Sequence, residues 1–332
     1  MTQHDPPCTG AGSVAATIGG MHTLITHASP FAPLCRQACA TLQLPNLTAL
    51  LRLLTAGERR LDPQDTLSPL HETLEAQILG FPDQDGLLPW AALQARQLDL
   101  SEAPNAAWAW LTPCHWQVNA DHVRMAAPAD TQISDEESAT LMETMRGFFA
   151  EDGITLHGLQ GGNWLACGEV FRDLPTASLA RASGGSVDHW IARAAQAAPL
   201  RRLQNEMQML TYSDPVNDAR TAQRLLPVNS FWISGTGSLP PDYAAPTGVT
   251  IRHELRTPTA QDDAKAWLDA WQTLDEQAIR PLLDQARNGT AVSLTLCGEQ
   301  AAQTFTLQPR GLLTRLTGHF AKPDVSALLQ TL

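Results

Sequence analysis

Apolar positions near the start of the chain recur at helical spacing, first Leu34, Ala38 and Leu42, then Leu47, Leu50, Leu51 and Leu54, which predicts two helices broken near Pro45. Ahead of them, MHTLITHASP predicts a strand that starts at His22 and runs into a turn at Pro30. SPLHETLEAQILGF predicts a short helix that begins after Pro69 and is closed by a glycine C-cap at Gly80. The stretch PDQDGLLP is rich in turn residues. AWAWLTPCHW and residues 121–125 read as strands, with large side chains alternating at Trp108 and Trp110. The clearest helix lies in ISDEESATLMETMRGFFA. There Ser134 can cap and Glu137 can answer as the third residue in, while Leu141, Met142, Met145, Phe148 and Phe149 form one apolar stripe suited to packing on a sheet.

Gly153 ends that helix, and residues 154–159 and 164–167 predict two short strands around a Gln-Gly-Gly-Asn turn. FRDLPTASLARASGGSVDHW is turn-rich, and RRLQNEMQML is a helix with Leu203, Met207 and Leu210 on one face. A proline turn and an arginine-bearing linker follow Asp214, then a strand over 230–234 closed by Gly-Thr-Gly, and IRHEL as another strand. A helix over 262–285 carries Trp267, Leu268, Trp271, Leu274, Ile279 and Leu282 and feeds the strand AVSLTLC. This alternation predicts an α/β protein with a mainly parallel central sheet. We expect a flexible lead-in over residues 1–20, a core built from 21–105 and 205–332, and an inserted, smaller α+β domain over 106–204.

Composition narrows the field. Twenty-two Lys and Arg against thirty-four Asp and Glu give a net charge of -12, which opposes binding to phosphate backbones or anionic lipid, so neither nucleic acid nor a membrane is an expected partner. The six cysteines include no Cys-x-x-Cys, and Cys35 and Cys39, four apart, share a helix face as core thiols. Free thiols, no basic region leading into a long apolar run at the start, and no stretch near eighteen apolar residues together predict a cytoplasmic protein.

Three segments carry a resemblance. LQLPNLTALL resembles a Thr-Pro-Asn-Leu-Asp helix start, DPVNDARTAQRLLPVNSFWISGTGSLP resembles a stretch with a Pro-Val-Asn turn, an arginine, an asparagine, a tryptophan and a Gly-x-Gly, and TLDEQAIRPLLDQARNGTAVSLTLCGEQ resembles a helix leading to a strand that ends in Asp-His. All three resemble the archaeal type of cofactor-independent phosphoglycerate mutase, in the alkaline phosphatase superfamily. From His22 onward the chain is similar to a proteobacterial family of phosphoglycerate mutase-like and RpfE-type regulatory proteins. The resemblance implies an alkaline-phosphatase-like sandwich with a central mainly parallel sheet and an inserted smaller α+β domain.

Enzymes of that superfamily hold two divalent metals through an early Asp, a Ser or Thr nucleophile, and later Asp and His ligands, because nucleophile and phosphoryl oxygens both carry negative charge. Carried over residue by residue, the pattern breaks. Thr26 and His27 stand at the early Asp, Pro69-Leu70-His71-Glu72 at the nucleophile segment, and Gly298-Glu299-Gln300 at the late Asp-His. No metal and no cofactor are therefore expected. The inserted stretch PCHWQVNADHVRMAAP keeps Asn119, Asp121 and Arg124 but lacks the paired arginines of the mutases.

Two sets of residues remain as candidates. If the chain is an enzyme, His71, Glu72 and His27 are its catalytic groups, as acid, base or phosphoryl acceptor; the alternative is that His71 serves only the helix start. Asn217, Arg220, Asn229, Gly235 and Gly237 are the expected ligand-binding set, since arginine presents a fork to phosphate or carboxylate and Gly-x-Gly permits close backbone approach. Their alternative is structural, with Asn217 capping a turn and Arg220 paired to Asp214 or Asp218. Arg252, His253 and Glu254 are expected to alternate along a strand. Ligands gather at strand carboxyl ends, which predicts one cleft holding His27, His71, Arg220, Asn229, Gly235 and Glu299. The expected function is a non-catalytic regulatory or small-anion-binding protein on a degenerate phosphatase scaffold, with a small phosphorylated or carboxylate ligand and a regulatory protein partner. A phosphoryl-transfer enzyme with an atypical active site and a protein-interaction module are the alternatives.

Overall fold

The strand expected from His22 forms as β1 (Met21–Ile25), flanked by two parallel neighbours, β10 (Val292–Cys297) and β9 (Val249–Arg252). The structure is a computed structural model that describes residues 20–307 and 323–332, apart from Phe31, Ser101, Glu102, Pro104 and Ala120, so the lead-in expected over residues 1–20 lies almost wholly outside the described residues. The chain divides into two compact units, Met1–Leu61 with Pro246–Leu332, and Asp62–Ala245.

In the first unit β11 (Ala301–Thr306) returns antiparallel from β10, and β2 (Thr55–Leu61) adds an antiparallel edge, giving the order β2-β11-β10-β1-β9. The central sheet is thus mixed rather than mainly parallel. A parallel neighbour needs a long crossover, whereas only Gly298, Glu299 and Gln300 separate β10 from β11, so the chain must turn back as a hairpin. Helices α1 (Pro33–Ala38) and α2 (Pro45–Leu53) break where expected, with Pro45 opening α2. Alternate sheet residues Ile25, Val292, Leu294 and Leu296 join Leu47, Leu50, Trp267, Trp271, Leu282 and Leu283 in one core. Cys35 and Cys39 are buried in it as thiols, and burial, with Asp262 nearby, pushes Cys35 up to about 11. On the opposite pleat, His22 Nε2 meets Thr295 Oγ1 at 2.8 Å and Thr295 meets Thr304 Oγ1 at 2.8 Å, a polar rung across three strands.

The return segment runs through α10 (Arg256–Ala260) and α11 (Ala264–Leu274), a π-helical turn (Asp275–Ile279) and α12 (Arg280–Arg287); a final helix, Val325–Thr331, closes the described chain. The π turn carries Asp275, which is 3% exposed. Its carboxylate accepts the backbone amides of Asn46 and Leu47 at 3.0 and 2.8 Å and the Asn46 side-chain amide at 3.0 Å. Those are first-turn amides of α2, which has no side-chain cap of its own because Leu44 precedes Pro45.

The second unit holds an antiparallel sheet ordered β6-β7-β3-β8, from β3 (Ala107–Cys114), β6 (Thr155–Gly158), β7 (Trp164–Cys167) and β8 (Ser230–Ser238), with a small hairpin of β4 (Trp116–Val118) and β5 (Val123–Met125). Its helices are α3 (Leu70–Ile78), α4 (Trp90–Gln97), α5 (Pro128–Thr131), α6 (Asp135–Glu151), α7 (Leu179–Ala182), α8 (Ala198–Thr211) and α9 (Pro215–Ala222). The Ser134–Glu137 capping box forms as expected, and α6 buries Leu141, Met142, Met145 and Phe149 in a core shared with α8 and β8. Phe81 and Trp90 join Trp108, Leu165 and Leu239 in a second cluster.

The units divide near residues 61 and 245 rather than at 105 and 205, and the inserted unit is the longer. Pairing explains this: β8 forms a ladder with β3, which draws residues after 205 into the insertion, and the Phe81–Trp90 cluster draws in the residues before 105.

Asp275→Ala leaves two backbone amides of α2, the Leu47 one buried, without an acceptor. We expect a loss of about 2–4 kcal/mol in urea denaturation.

Candidate functional site

At the carboxyl edge of the first unit the chain leaves β1 through Thr26, His27 and Ala28. The Thr26 amide donates to Arg252 O at 3.1 Å and the Ala28 amide to Cys297 O at 2.8 Å, so this turn is pinned to the ends of both neighbouring strands. Between the two pins His27 adopts φ +56, an uncommon left-handed conformation for a residue other than glycine. The Thr26 hydroxyl donates to Arg252 O at 3.2 Å and lies 3.2 Å from His253 Nδ1. β9 ends at Arg252, and the Arg256 amide donates to His253 O at 2.9 Å. His253 and Glu254 therefore lie in a turn and do not alternate along a strand as expected. Arg252 pairs with Glu254 at 2.5 Å. Burial, then the charges of Arg256 and His253, lower His27 to about 4. His253 and Arg256 are themselves exposed, and Arg256 makes no ion pair among the described residues. Beyond β10, Glu299 and Gln300 line a shallow depression of about 220 Å³ with Ser29, Pro30 and Arg36.

In the second unit His71 and Glu72 occupy the first turn of α3. A Glu72 carboxylate oxygen accepts the Ser178 hydroxyl proton and lies 4.0 Å from His71 Nε2. Ser178 also accepts the Ala180 amide as the N-cap of α7, so its hydroxyl is used in both directions. The Leu70 amide donates to Asp62 at 2.6 Å, and Asp62 takes Arg181 on both oxygens at 2.8 and 3.0 Å. Arg181 further donates to the carbonyls of Thr66 at 3.0 Å and Pro63 at 2.8 Å, and Ser68 Oγ accepts the Gly86 amide at 3.1 Å. Thr66 and Ser68, the hydroxyls that precede His71, are bound into the loop that starts α3, the Thr66 hydroxyl by donating to Pro63 O at 2.7 Å. Among the described residues no group of three or more His, Cys, Asp or Glu is arranged to hold a metal ion.

The five residues expected to bind a ligand are engaged by the fold of this unit. Asp214 caps α9, a helix where a linker was expected. Asn217 donates to Thr211 O and Val228 O and accepts the Val228 amide, each at 2.8 Å. Arg220 is fully buried; it pairs with Glu137 at 2.7 Å, donates to Leu226 O at 2.8 Å and also to Thr131 O, so its partner is neither Asp214 nor Asp218. Asn229 accepts the Trp116 amide at 2.7 Å and donates to the Trp116 carbonyl at 2.9 Å. Gly235 and Gly237 lie inside β8, where the ladder with β3 shifts register, at φ +64 and +132. A Cβ on Gly235 would come within 2.9 Å of the Trp110 ring, so glycine there admits a neighbouring side chain.

Arg256 and Asp275 did not stand out in the sequence, whereas Thr26 did so only as a substituted position. Thr26 and Arg256 gain their places from the β1–β9 register. Asp275 offers one local sign, an acid placed between two apolar helical runs.

No family model matches the chain, and no curated protein matches it. Among solved structures it is similar to the PH0037 protein of Pyrococcus horikoshii, at 12% identity and a TM-score of 0.43, with 87% of each chain covered. It is also similar to the cofactor-independent phosphoglycerate mutase of Thermoplasma acidophilum, at 12% identity and a TM-score of 0.39, over 94% of this chain and 99% of that one. Neither likeness assigns a role to a residue. No described helix is long and apolar enough to cross a membrane.

Two outcomes follow from this geometry. Burial lowers His22, like His27, from 6.5 to about 4. Both are neutral in the fold and take a proton more readily when unfolded, so their contribution is intact above pH 6.5 and lost as pH falls to about 4. Melting curves across this window should show a loss of up to about 3 kcal/mol per histidine, reduced in His22→Gln. Arg220→Met strands two carbonyl acceptors and Glu137; urea denaturation should show a loss of about 3 kcal/mol.

Proposed function

We propose that the chain is a non-catalytic, regulatory protein that binds a small phosphorylated or carboxylate anion at the carboxyl edge of β9, β1 and β10. The observation that carries this reading is the turn after β1, where the resemblance implies a metal-binding Asp: Thr26 is tied there to Arg252 and His253, and the charges of Arg256 and His253 act on His27. An imidazole and a guanidinium in place of a carboxylate make this edge less suited to a cation and more suited to an anion. The Arg256 guanidinium offers a charge-assisted fork, and the imidazoles offer further ring N–H donors, to phosphate or carboxylate oxygens. The carboxyl ends of parallel strands are where open α/β sheets take their ligands. The five described cysteines are all free thiols, in keeping with the cytoplasm as the place of action.

A second reading, a phosphoryl-transfer enzyme with an atypical active site, is favoured by one observation, the contact of Glu72 with both Ser178 and His71. Calorimetric titration with inorganic phosphate and 3-phosphoglycerate, with and without manganese or zinc, separates the two. We expect saturable, metal-independent binding that weakens at least about tenfold in Arg256→Gln, and no mutase turnover. Manganese-dependent turnover that His71→Asn abolishes and Arg256→Gln leaves intact would establish the enzyme instead.

A further inference from the structure

We propose that the second unit holds a binding site for a small apolar acid, in the depression between the start of α8, β8 and the turn that precedes α8. The ligand class is a carboxylate with an aromatic or branched hydrocarbon part and a neighbouring hydroxyl or amino donor. This site is independent of the anion-binding edge of the first unit.

The walls are apolar and held in place. Trp190, Ile191, Leu200 and Trp232 line a depression of about 310 Å³. The Trp232 indole N–H donates to Ala177 O at 3.0 Å, which fixes that ring against β8. The amides of Trp190 and Ile191 both donate to Val187 O, at 2.9 and 3.0 Å, so the turn that carries them is set before α8 begins. Both residues are only half-buried, and apolar side chains left open to water around a concave surface gain free energy when a hydrocarbon part covers them.

Two polar side chains give the depression a direction. Gln204, which also lines it, is 7% exposed and donates its amide N–H to Phe231 O at 2.9 Å. A carbonyl can only accept, so this bond sets which way the amide points. The Gln204 carbonyl oxygen accepts no hydrogen bond among the described residues, yet it keeps access to solvent, which leaves one acceptor for a donor from outside. Arg201 lies three residues earlier on the same helix face. Its Nη1 donates to Ala192 O and Ala194 O at 2.8 and 3.1 Å, which locks the guanidinium. Its Nε and Nη2 make no hydrogen bond, and no carboxylate pairs with it among the described residues. That free edge is a fork of the kind that holds a carboxylate through two parallel bonds. Leu200 brings the first turn of α8 to the same depression, where the helix dipole favours negative charge. An inorganic anion would leave the indole and aliphatic walls in water, and a plain hydrocarbon would cover the Arg201 charge without pairing it. A ligand with both parts meets both demands.

Phenyllactate carries the hydrocarbon, the carboxylate and the hydroxyl; phenylpropionate lacks the hydroxyl, and phenylpropanediol lacks the carboxylate. The full-length chain is titrated with each by calorimetry. The expected result is saturable binding of one phenyllactate per chain, at least about tenfold tighter than either of the other two. Arg201→Gln should weaken phenyllactate at least about tenfold and leave the affinity for the diol unchanged, which also shows that the variant is folded. Ile191→Trp, which fills the depression from a half-buried turn, should abolish binding of all three. Arg256→Gln should change none of these affinities, which separates this site from the edge of the first unit. In the wild-type chain the indole N–H resonance of Trp190, assigned by its loss in Trp190→Phe, should shift with phenyllactate. Three results would each overturn the site: no saturation by phenyllactate below about 5 mM, equal affinity for acid and diol, or an Arg201→Gln chain that binds phenyllactate as the wild type does.

Discussion

The carboxylate of Asp275 meets the first amides of α2 across 229 positions of sequence, and the first unit is organised around that contact. A helix start leaves backbone donors unpaired, and α2 begins with Leu44 and Pro45, neither of which offers a side-chain acceptor. The acceptor comes instead from the return segment, through a π turn that widens the helix where Asp275 must point inward. Around it Leu47 and Leu50 on one side and Trp267, Trp271 and Leu282 on the other close one apolar core. Two of the three segments that resemble the phosphoglycerate mutases are the two halves of this contact. Their shared pattern is explained by how the unit is held together, with no appeal to catalysis.

The third resembling segment has the same explanation in the other unit. Asn217 joins the start of α9 to Val228, Arg220 ties α9 to Thr131 and Glu137, and Asn229 clamps Trp116. A buried guanidinium must find fixed partners, and Arg220 finds them within its own unit. The positions that carry the resemblance most visibly are therefore architectural. The positions where the pattern fails, at His27 and around Glu299, lie at the open carboxyl edge of the sheet, where chemistry can change without disturbing a core.

Much of this architecture was legible in the sequence, for identifiable reasons. The α6 capping box, the helix break at Pro45 and the glycine after α3 are local signals set by a few neighbouring residues. What escaped was non-local. β2, the strand TAGERRL, has every residue exposed and no apolar alternation, so only its ladder with β11 makes it a strand. The Gly-Thr-Gly taken as the end of a strand lies inside β8, because the shifted ladder to β3 needs positive φ at Gly235 and Gly237. The unit boundaries were displaced because β8 belongs to β3, a pairing no local pattern announces. At the site, Thr26 and His27 were legible as substituted positions, while strand register is what ties Thr26 to His253.

The order of strands also constrains how the chain can be made. β1 is among the first described segments to leave the ribosome, yet its hydrogen-bonding partners arrive last, and His22 waits for Thr295, 273 positions later. The inserted unit is continuous from Asp62 to Ala245 and can close its own sheet before the remainder is translated. During that interval the nascent N-terminal segment carries Ile25, Leu47, Leu50 and Leu51 without the helices that later cover them. Cellular yield of this protein should therefore depend on shielding that early segment, a task for chaperones and translation speed that the finished molecule no longer reveals.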